Sequence, residues 1–274
     1  MKLLERLYAM PGLDAHELPP GLARLYDGAL GFGGPRIYAN FVSSLDGVVA
    51  LPSVEASPAV ISGRSEADRF VMGLLRACAD VVLIGAGTLR AEPDHRWTPD
   101  YIYPHAGDDY ARLRAALGLS PEPRLAVLTS RGYLDREIPA LEEAMVLTTP
   151  DGARRLGDSR PFPATILEVG DEEDLVLGTV IHALRSRGLR MILSEGGPTV
   201  IGQLLALRLL DELFLTVSPI VMGRTSSDSR PGLVEGIDLL HKGLTAEVLS
   251  VHRHNSHLFL RYSFASSQES RMPA

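Results

Sequence analysis

The chemistry this chain could do is concentrated in four turns, each placed where an apolar run stops. In "ILSEGGPTVI" (192–201) a run ends at Ser194 and Glu195, and Gly196, Gly197, Pro198 and Thr199 lead into a second run. Glycines let a backbone approach a ligand closely, and proline pre-sets the first turn of a helix. The free N–H groups of such a helix start suit an anion. The other reading is a turn that needs glycine only for its dihedral angles. Glu195 weighs against it, because a carboxylate at the end of a buried strand is costly unless it binds something.

The second turn, "LIGAGTLRAEP" (83–93), places Gly85, Ala86, Gly87 and Thr88 at another strand-to-helix junction. A lone GxG does not separate phosphate contact from a plain turn. In "SSLDGVVA" (43–50), Asp46 either makes an Asx turn with Gly47 or serves a ligand as hydrogen-bond partner or proton source. In "TSRGYL" (129–134), Ser130 and Arg131 follow a strand. A hydroxyl and a guanidinium there suit the 2′-phosphate of an NADP-type cofactor. A solvated loop is the plain alternative.

Two further groups carry side chains with chemical potential. "HRHNSH" (252–257) puts His252 and His254 on one strand face, which allows a metal pair, with His257 nearby. A polar hairpin tip explains the same residues. His95, Arg96 and Trp97 could line a substrate pocket or pack it. CxxC, HExxH, Walker A and GxSxG patterns are absent.

The elements that must position these turns alternate. Strand patterns cover 36–47, 80–87, 124–130, 143–149, 163–169, 190–195 and 211–223. Helical spacing of Ala67, Phe70, Val71, Leu74, Leu75 and Cys78 predicts a helix over 65–78 capped by Ser65. Further helices are expected over 171–188, with Asp171 as N-cap and Gly188 as stop, and over 199–210. Two last strands, about 246–254 and 257–265, flank the turn "HNSH". This alternation predicts an α/β fold with a mostly parallel sheet and a C-terminal antiparallel hairpin. The stretch 94–122 is long and polar, with a helix at 108–118. It reads as an excursion from the sheet, a lid over the site. Residues 1–35, rich in Pro and Gly with one short helical pattern near the start, read as an N-terminal extension ahead of a domain at 36–265. "GALGFGGP" reads as a flexible lead-in and 266–274 as a flexible tail.

Composition narrows the function classes. The 274 residues are 45% hydrophobic, enough for one sizeable core. A net charge of −7 without a long basic run argues against nucleic-acid binding. No run of apolar residues is long enough for a membrane span. Glu5 and Arg6 interrupt any signal-peptide core, and Cys78 is the single cysteine, so a cytoplasmic location is expected.

Taken in order, "SSLDG", "ISGRSEADRF", "LLRACADVVLIGAGTLRAEP", "ILSEGGPTVIGQLL" and "LLDELFLTVSPIVMGR" resemble the pyrimidine reductases of riboflavin biosynthesis. These are the RibD C-terminal-type enzymes of the dihydrofolate-reductase-like superfamily. The resemblance runs from about 36 to 265, and without a zinc deaminase partner it implies the stand-alone type. It implies a twisted, mostly parallel sheet flanked by helices, a homodimer, and NADPH as cofactor. The substrate it implies is a small nucleotide-like molecule, a phosphoribosylamino-pyrimidine reduced at its sugar to the ribitylamino form.

By the same resemblance, Asp46 and Glu195 are the catalytic acids. Ser62, Gly85–Thr88, Ser130, Arg131 and Gly196–Thr199 bind cofactor, with Gly63 beside Ser62. Asn40, Ser44 and Arg96 bind substrate. Asn40 stands where bifunctional members often carry lysine. After Glu92 this chain reads "EPDHRWTPDYIYPH" in place of a stretch ending in "LTVR". That departure keeps two alternatives open: a reductase of another heterocycle such as a pterin, and a nucleotide-binding protein without catalysis.

Overall fold

The computed structural model describes residues 2–51, 57–157, 162–171, 175–225 and 230–264. Among these, the strands are β1 (Glu5–Ala9), β2 (Arg36–Ser43), β3 (Val81–Gly85), β4 (Arg124–Thr129), β5 (Met145–Thr148), β6 (Thr165–Glu168), β7 (Met191–Ser194), β8 (Glu212–Val217), β9 (Ala246–His254) and β10 (His257–Phe264). They form one sheet in the order β1-β9-β10-β8-β2-β7-β3-β4-β5-β6. From β8 through β2 to β6 every pairing is parallel, and β1, β9 and β10 add antiparallel strands at one edge. The short apolar runs of β3, β4 and β5 are buried as central parallel strands covered on both faces must be.

The helices are α1 (Pro20–Tyr26), α2 (Ser57–Ile61), α3 (Glu66–Ala77), α4 (Ala86–Ala91), α5 (Pro99–Ile102), α6 (Gly107–Ala116), α7 (Pro150–Gly157), α8 (Leu177–Arg185) and α9 (Pro198–Ala206). One core lies on the face where α3 sets Phe70, Leu74 and Leu75 against Tyr38, Val82 and Ile84. The other joins Ile37, Leu83 and Ile192 to Val180 and Leu184 of α8 and Ile201 and Leu204 of α9. Each such side chain contributes roughly 1.5–3 kcal/mol on full burial. None of the helices is long and apolar enough to cross a membrane, among the described residues.

Several expected boundaries and roles change. The helix expected over 171–188 begins only at Leu177, with Val176 at its N-cap instead of Asp171. It starts where the buried stripe of Leu177, Val180, Ile181 and Leu184 starts, because packing outweighs a cap. Residues 172–174, expected in its first turn, lie outside the described residues, as does the tail 266–274. The strand expected over 211–223 stops at Val217.

The N-terminal 35 residues are woven into the sheet. The segment near the start is a strand, β1, paired with β9, and the helix comes later as α1. Leu22, Tyr26, Leu30 and Phe32 are buried in the α3-side core. Arg261 donates to Gly31 O at 2.8 Å and lies over the Phe32 ring, so the glycine-rich lead-in is a packed segment.

The 94–122 excursion packs against α3 rather than over the site. Trp97, Tyr103, Tyr110 and Leu113 are buried in the same core. Tyr110 donates to Phe70 O at 2.8 Å, and a Cβ on Gly73 would stand 2.7 Å from the Tyr110 hydroxyl, so only glycine admits that ring. Arg114 Nη1 donates to Ala79 O at 2.8 Å, beyond the end of α3. The result is a helix whose solvent face narrows to Glu66, Arg69 and the half-buried Met72. Asp68 and Arg76, 5% and 2% exposed, are buried along with its leucines.

His252 is part of this packing. It is 2% exposed, tilts on the Tyr26 ring at 4.4 Å, and burial lowers its pKa from 6.5 to about 4. The unfolded chain therefore takes up the proton first. The native advantage is complete above pH 6.5 and is lost as pH falls to 4, a difference on the order of 3 kcal/mol. Thermal unfolding from pH 7 to 4 should show a distinctly smaller loss of Tm in His252→Phe than in the unaltered protein. Equal losses would remove His252 from the acid response.

Candidate active site

The neighbouring strands β2, β7, β3 and β4 are parallel, so their carboxyl ends share one edge. Adjacent strands lie about 4.8 Å apart. The turn of Asp46, the Glu195–Thr199 turn, the Gly85–Thr88 turn and the Ser130–Arg131 turn therefore follow one another along that edge, where open α/β sheets bind ligands. The glycines here are not required by backbone angles. Gly85, Gly87, Gly196 and Gly197 all lie outside the positive-φ positions. A Cβ on Gly85, Gly87 or Gly197 would meet nothing within 4 Å, so three backbones face open space. Gly196 differs: its Cβ would stand 2.9 Å from Val200 Cβ, so it serves packing. α9 starts with Pro198 at its first turn, no side-chain cap and no acid there. An uncapped start of this kind favours an anion.

Glu195 follows directly on β7 with its carboxylate turned toward α3. Arg76 Nη2 reaches Glu195 Oε2 at 2.7 Å and Nε reaches Oε1 at 3.0 Å, a two-pronged pair. The other guanidinium hydrogens are also used. Nη2 meets His95 Nε2 at 3.1 Å, and Nη1 donates to the carbonyls of Arg96 and Thr98 at 3.3 Å each. All five N–H donors are thus matched. Because Arg76 can only donate, His95 Nε2 accepts, and Nδ1–H donates to Glu92 Oε2 at 2.9 Å. That hydrogen bond is the first cause lowering the Glu92 pKa. Glu92, His95, Arg76 and Glu195 form one chain that ties residues 92–98 to the end of β7.

Asp46 is held differently. Its carboxylate accepts from Ser44 Oγ at 2.6 Å, Met222 N at 3.0 Å and Gly223 N at 2.7 Å. The Ser44 hydrogen bond, then those backbone donors, hold its pKa far below the usual carboxylate range. Asp46 is an ionised clasp between the 43–47 turn and the loop after β8. Ser44 belongs to the same clasp. The hydroxyl expected at substrate is buried, donating to Asp46 and accepting from Val48 N at 2.9 Å.

Comparison with known proteins decides the family. The model of the RibD C-terminal domain matches residues 35–252, which include every site residue named so far. The chain belongs to the RibD C-terminal domain family. A protein of Archaeoglobus fulgidus named 2,5-diamino-6-ribosylamino-4(3H)-pyrimidinone 5′-phosphate reductase is 27% identical over 210 residues, 76% of this chain and 90% of that one. Riboflavin biosynthesis protein RibD of Mycobacterium tuberculosis is 28% identical over 219 residues, 79% of this chain and 52% of that one. A solved pyrimidine reductase-like protein from Corynebacterium diphtheriae superposes with a TM-score of 0.65 at 26% identity, covering 85% and 93% of the two chains.

Within this RibD-type domain the remaining candidates separate. Asn40 is half-buried and lines a small crevice with Val71 of α3 and Phe214 and Thr216 of β8. Thr199 is exposed and Thr88 half-buried at their helix starts. Ser130 and Arg131 are exposed, and the Arg131 carbonyl accepts from Arg155 Nη1 at 2.7 Å. Arg96 is exposed and enters the Arg76 network through its carbonyl. Trp97 packs in the core. Ser62 is buried, donating to Ala59 O at 3.2 Å, and its own carbonyl accepts from His257 Nε2 at 2.9 Å. His254 Nδ1 bonds Leu3 O at 2.8 Å, so the three histidines are spent at separate places.

Arg76 and Glu92 went unrecognised as site groups in the sequence. On α3, Arg76 reads as the cation favoured near a helix end. A carboxylate at Glu195 does require a buried cation, and that requirement was the available signal.

Proposed function

We propose that this chain is an NADPH-dependent reductase, acting as a cytoplasmic homodimer, that converts the ribosyl group of a phosphoribosylamino-pyrimidine to a ribityl group in riboflavin biosynthesis. The observation that carries the reading is the family match over 35–252, together with relatives named as reductases of this substrate class. The open backbones at Gly85, Gly87 and Gly197 and the uncapped start of α9 fit a dinucleotide pyrophosphate. A bound dihydronicotinamide supplies a hydride to the sugar carbon. The protein's part is to hold cofactor and sugar in line. In this reading Glu195, fixed by Arg76, orients the reacting end. Asp46 keeps the 43–47 turn in place beside it. Asn40 offers its amide to the substrate, and Arg96 reaches the substrate phosphate from the neighbouring loop.

The test is NADPH oxidation with the diamino-pyrimidinone and the amino-uracil forms of the phosphoribosylamino compound. Tight NADPH binding without turnover of either would sink the reading. Ser130 and Arg131 are assigned to the 2′-phosphate. Arg131→Ala is therefore expected to weaken NADPH by about tenfold or more, as loss of a charge-assisted pair implies, while NADH changes little. An unchanged preference would take Arg131 out of the site.

A further inference from the structure

Arg76 has three acceptors besides Glu195 among the described residues, and all lie in the short segment 95–98. Two are backbone carbonyls, which any residues in that conformation would offer. The third is the one side chain among them, His95, whose Nε2 stands 3.1 Å from Arg76 Nη2. The imidazole is 14% exposed and fixed on its other side as well. Nδ1 bonds Glu92 Oε2 at 2.9 Å, and the ring packs on Trp97 at 4.9 Å and on Tyr101 at 5.0 Å. A guanidinium is planar, so acceptors on its far hydrogens set the direction in which its Nε–H and Nη2–H fork points. That fork is what holds Glu195.

Resting on the reductase reading above, we propose that His95 is a positioning residue for this reduction: as a neutral imidazole it aims the Arg76 fork at Glu195 and so sets where that carboxylate stands beside the reacting end. His95 acts through Arg76 rather than on the reacting atoms.

The arrangement works in one charge state only. An imidazolium carries N–H on both nitrogens. Its Nε2–H would face an Arg76 N–H across the 3.1 Å that now holds a hydrogen bond, donor against donor and cation against cation. Ring or guanidinium must then move, and the hold on Glu195 moves with it. The charged and titratable groups around the ring are Arg76 from α3, Glu92 from the end of α4 and Tyr101 from α5, with Glu195 behind Arg76. Asp94 and Arg96 are its exposed neighbours in the chain. Glu92 favours the imidazolium and Arg76 opposes it, so the clash falls on the side that leads to Glu195.

The experiment has two arms. In the free protein, 15N NMR of labelled histidine, assigned with His95→Gln, should show His95 as the Nδ1–H tautomer on the alkaline side of its titration. The side-chain carboxylate 13C signal of Glu195, assigned with Glu195→Gln, should move with that titration and stand still over the same pH range in His95→Gln. An Nε2–H tautomer, or a Glu195 signal indifferent to the charge on His95, overturns the proposal whether or not the protein reduces the pyrimidine. In turnover, His95→Ala should lower kcat about tenfold or more, the scale of one hydrogen bond to a charged group, with NADPH affinity within twofold. Glutamine puts a carbonyl oxygen near the place of Nε2 and does not titrate. His95→Gln should therefore restore most of the kcat that alanine loses and remove the fall of kcat on the acid side. A residue that merely packs would lower Tm in these variants and leave kcat and the pH profile of the folded enzyme unchanged. That result, or an acid-side fall that persists in His95→Gln, overturns the proposal. Should His95→Ala fail to fold, His95→Gln and the NMR arm carry the test. Absence of turnover in the unaltered protein counts against the substrate reading, and the NMR arm alone then decides His95.

Discussion

Replacing Arg76 by methionine is expected to destabilise the fold by about 3–5 kcal/mol, the range seen when one partner of a buried ion pair is removed. The guanidinium is 2% exposed and the Glu195 side chain 9%. Its loss leaves that carboxylate without a countercharge and three acceptors, His95 Nε2 and the carbonyls of Arg96 and Thr98, without a donor. Glu195→Gln alone is also expected to destabilise, because it strands the arginine. The double variant Arg76→Met with Glu195→Gln should be less damaging than the sum of the two, since the charges disappear together. Urea denaturation of the four proteins checks this. Additive losses, or a single-variant cost below about 1 kcal/mol, the ceiling for ordinary exposed pairs, would mean the pair is solvated and the 92–98 segment is held by other contacts. A kinetic defect in Glu195→Gln must therefore be read against its stability.

Gly87→Leu is expected to do the reverse: leave the fold intact and abolish cofactor binding. Gly87 lies in α4 at negative φ, and a Cβ there meets nothing within 4 Å. Exchanging glycine for leucine in a helix is favourable by roughly 0.5–1 kcal/mol, so Tm should hold or rise. The side chain would fill the space assigned to the pyrophosphate, and NADPH affinity should drop at least about 100-fold, some 2.7 kcal/mol. Gly196→Ala is the contrasting control. Its Cβ would collide with Val200, so it should lower stability before it affects binding. NADPH binding within threefold of the unaltered protein in Gly87→Leu would remove the Gly85–Thr88 turn from the cofactor site.

These expectations show how far the sequence reached. Periodicity placed α3 with its Ser65 cap, the central strands, α9 and the C-terminal hairpin, because each rests on local spacing. The four turns were legible for the same reason, since a glycine or an acid after an apolar run marks a strand end. The start of α8 and the role of residues 1–35 were not. Apolar residues such as Leu22, Leu30 and Phe32 are too widely separated by Pro and Gly to form a stripe, and β1 is strand only because the edge of β9 is free to pair with it.

The sequence by itself determined the α/β alternation, the family and the glycine-rich turns, all of which depend on neighbours a few residues apart. Only the tertiary structure decided which polar groups are free. It brought residues 94–116 against α3, and that packing buried Arg76 where it partners Glu195. It also bound Asp46 and Ser44 to each other and to the loop after β8. Charge and proton availability depend on what stands across the chain, 119 residues away for Arg76 and Glu195, and no local pattern records that distance.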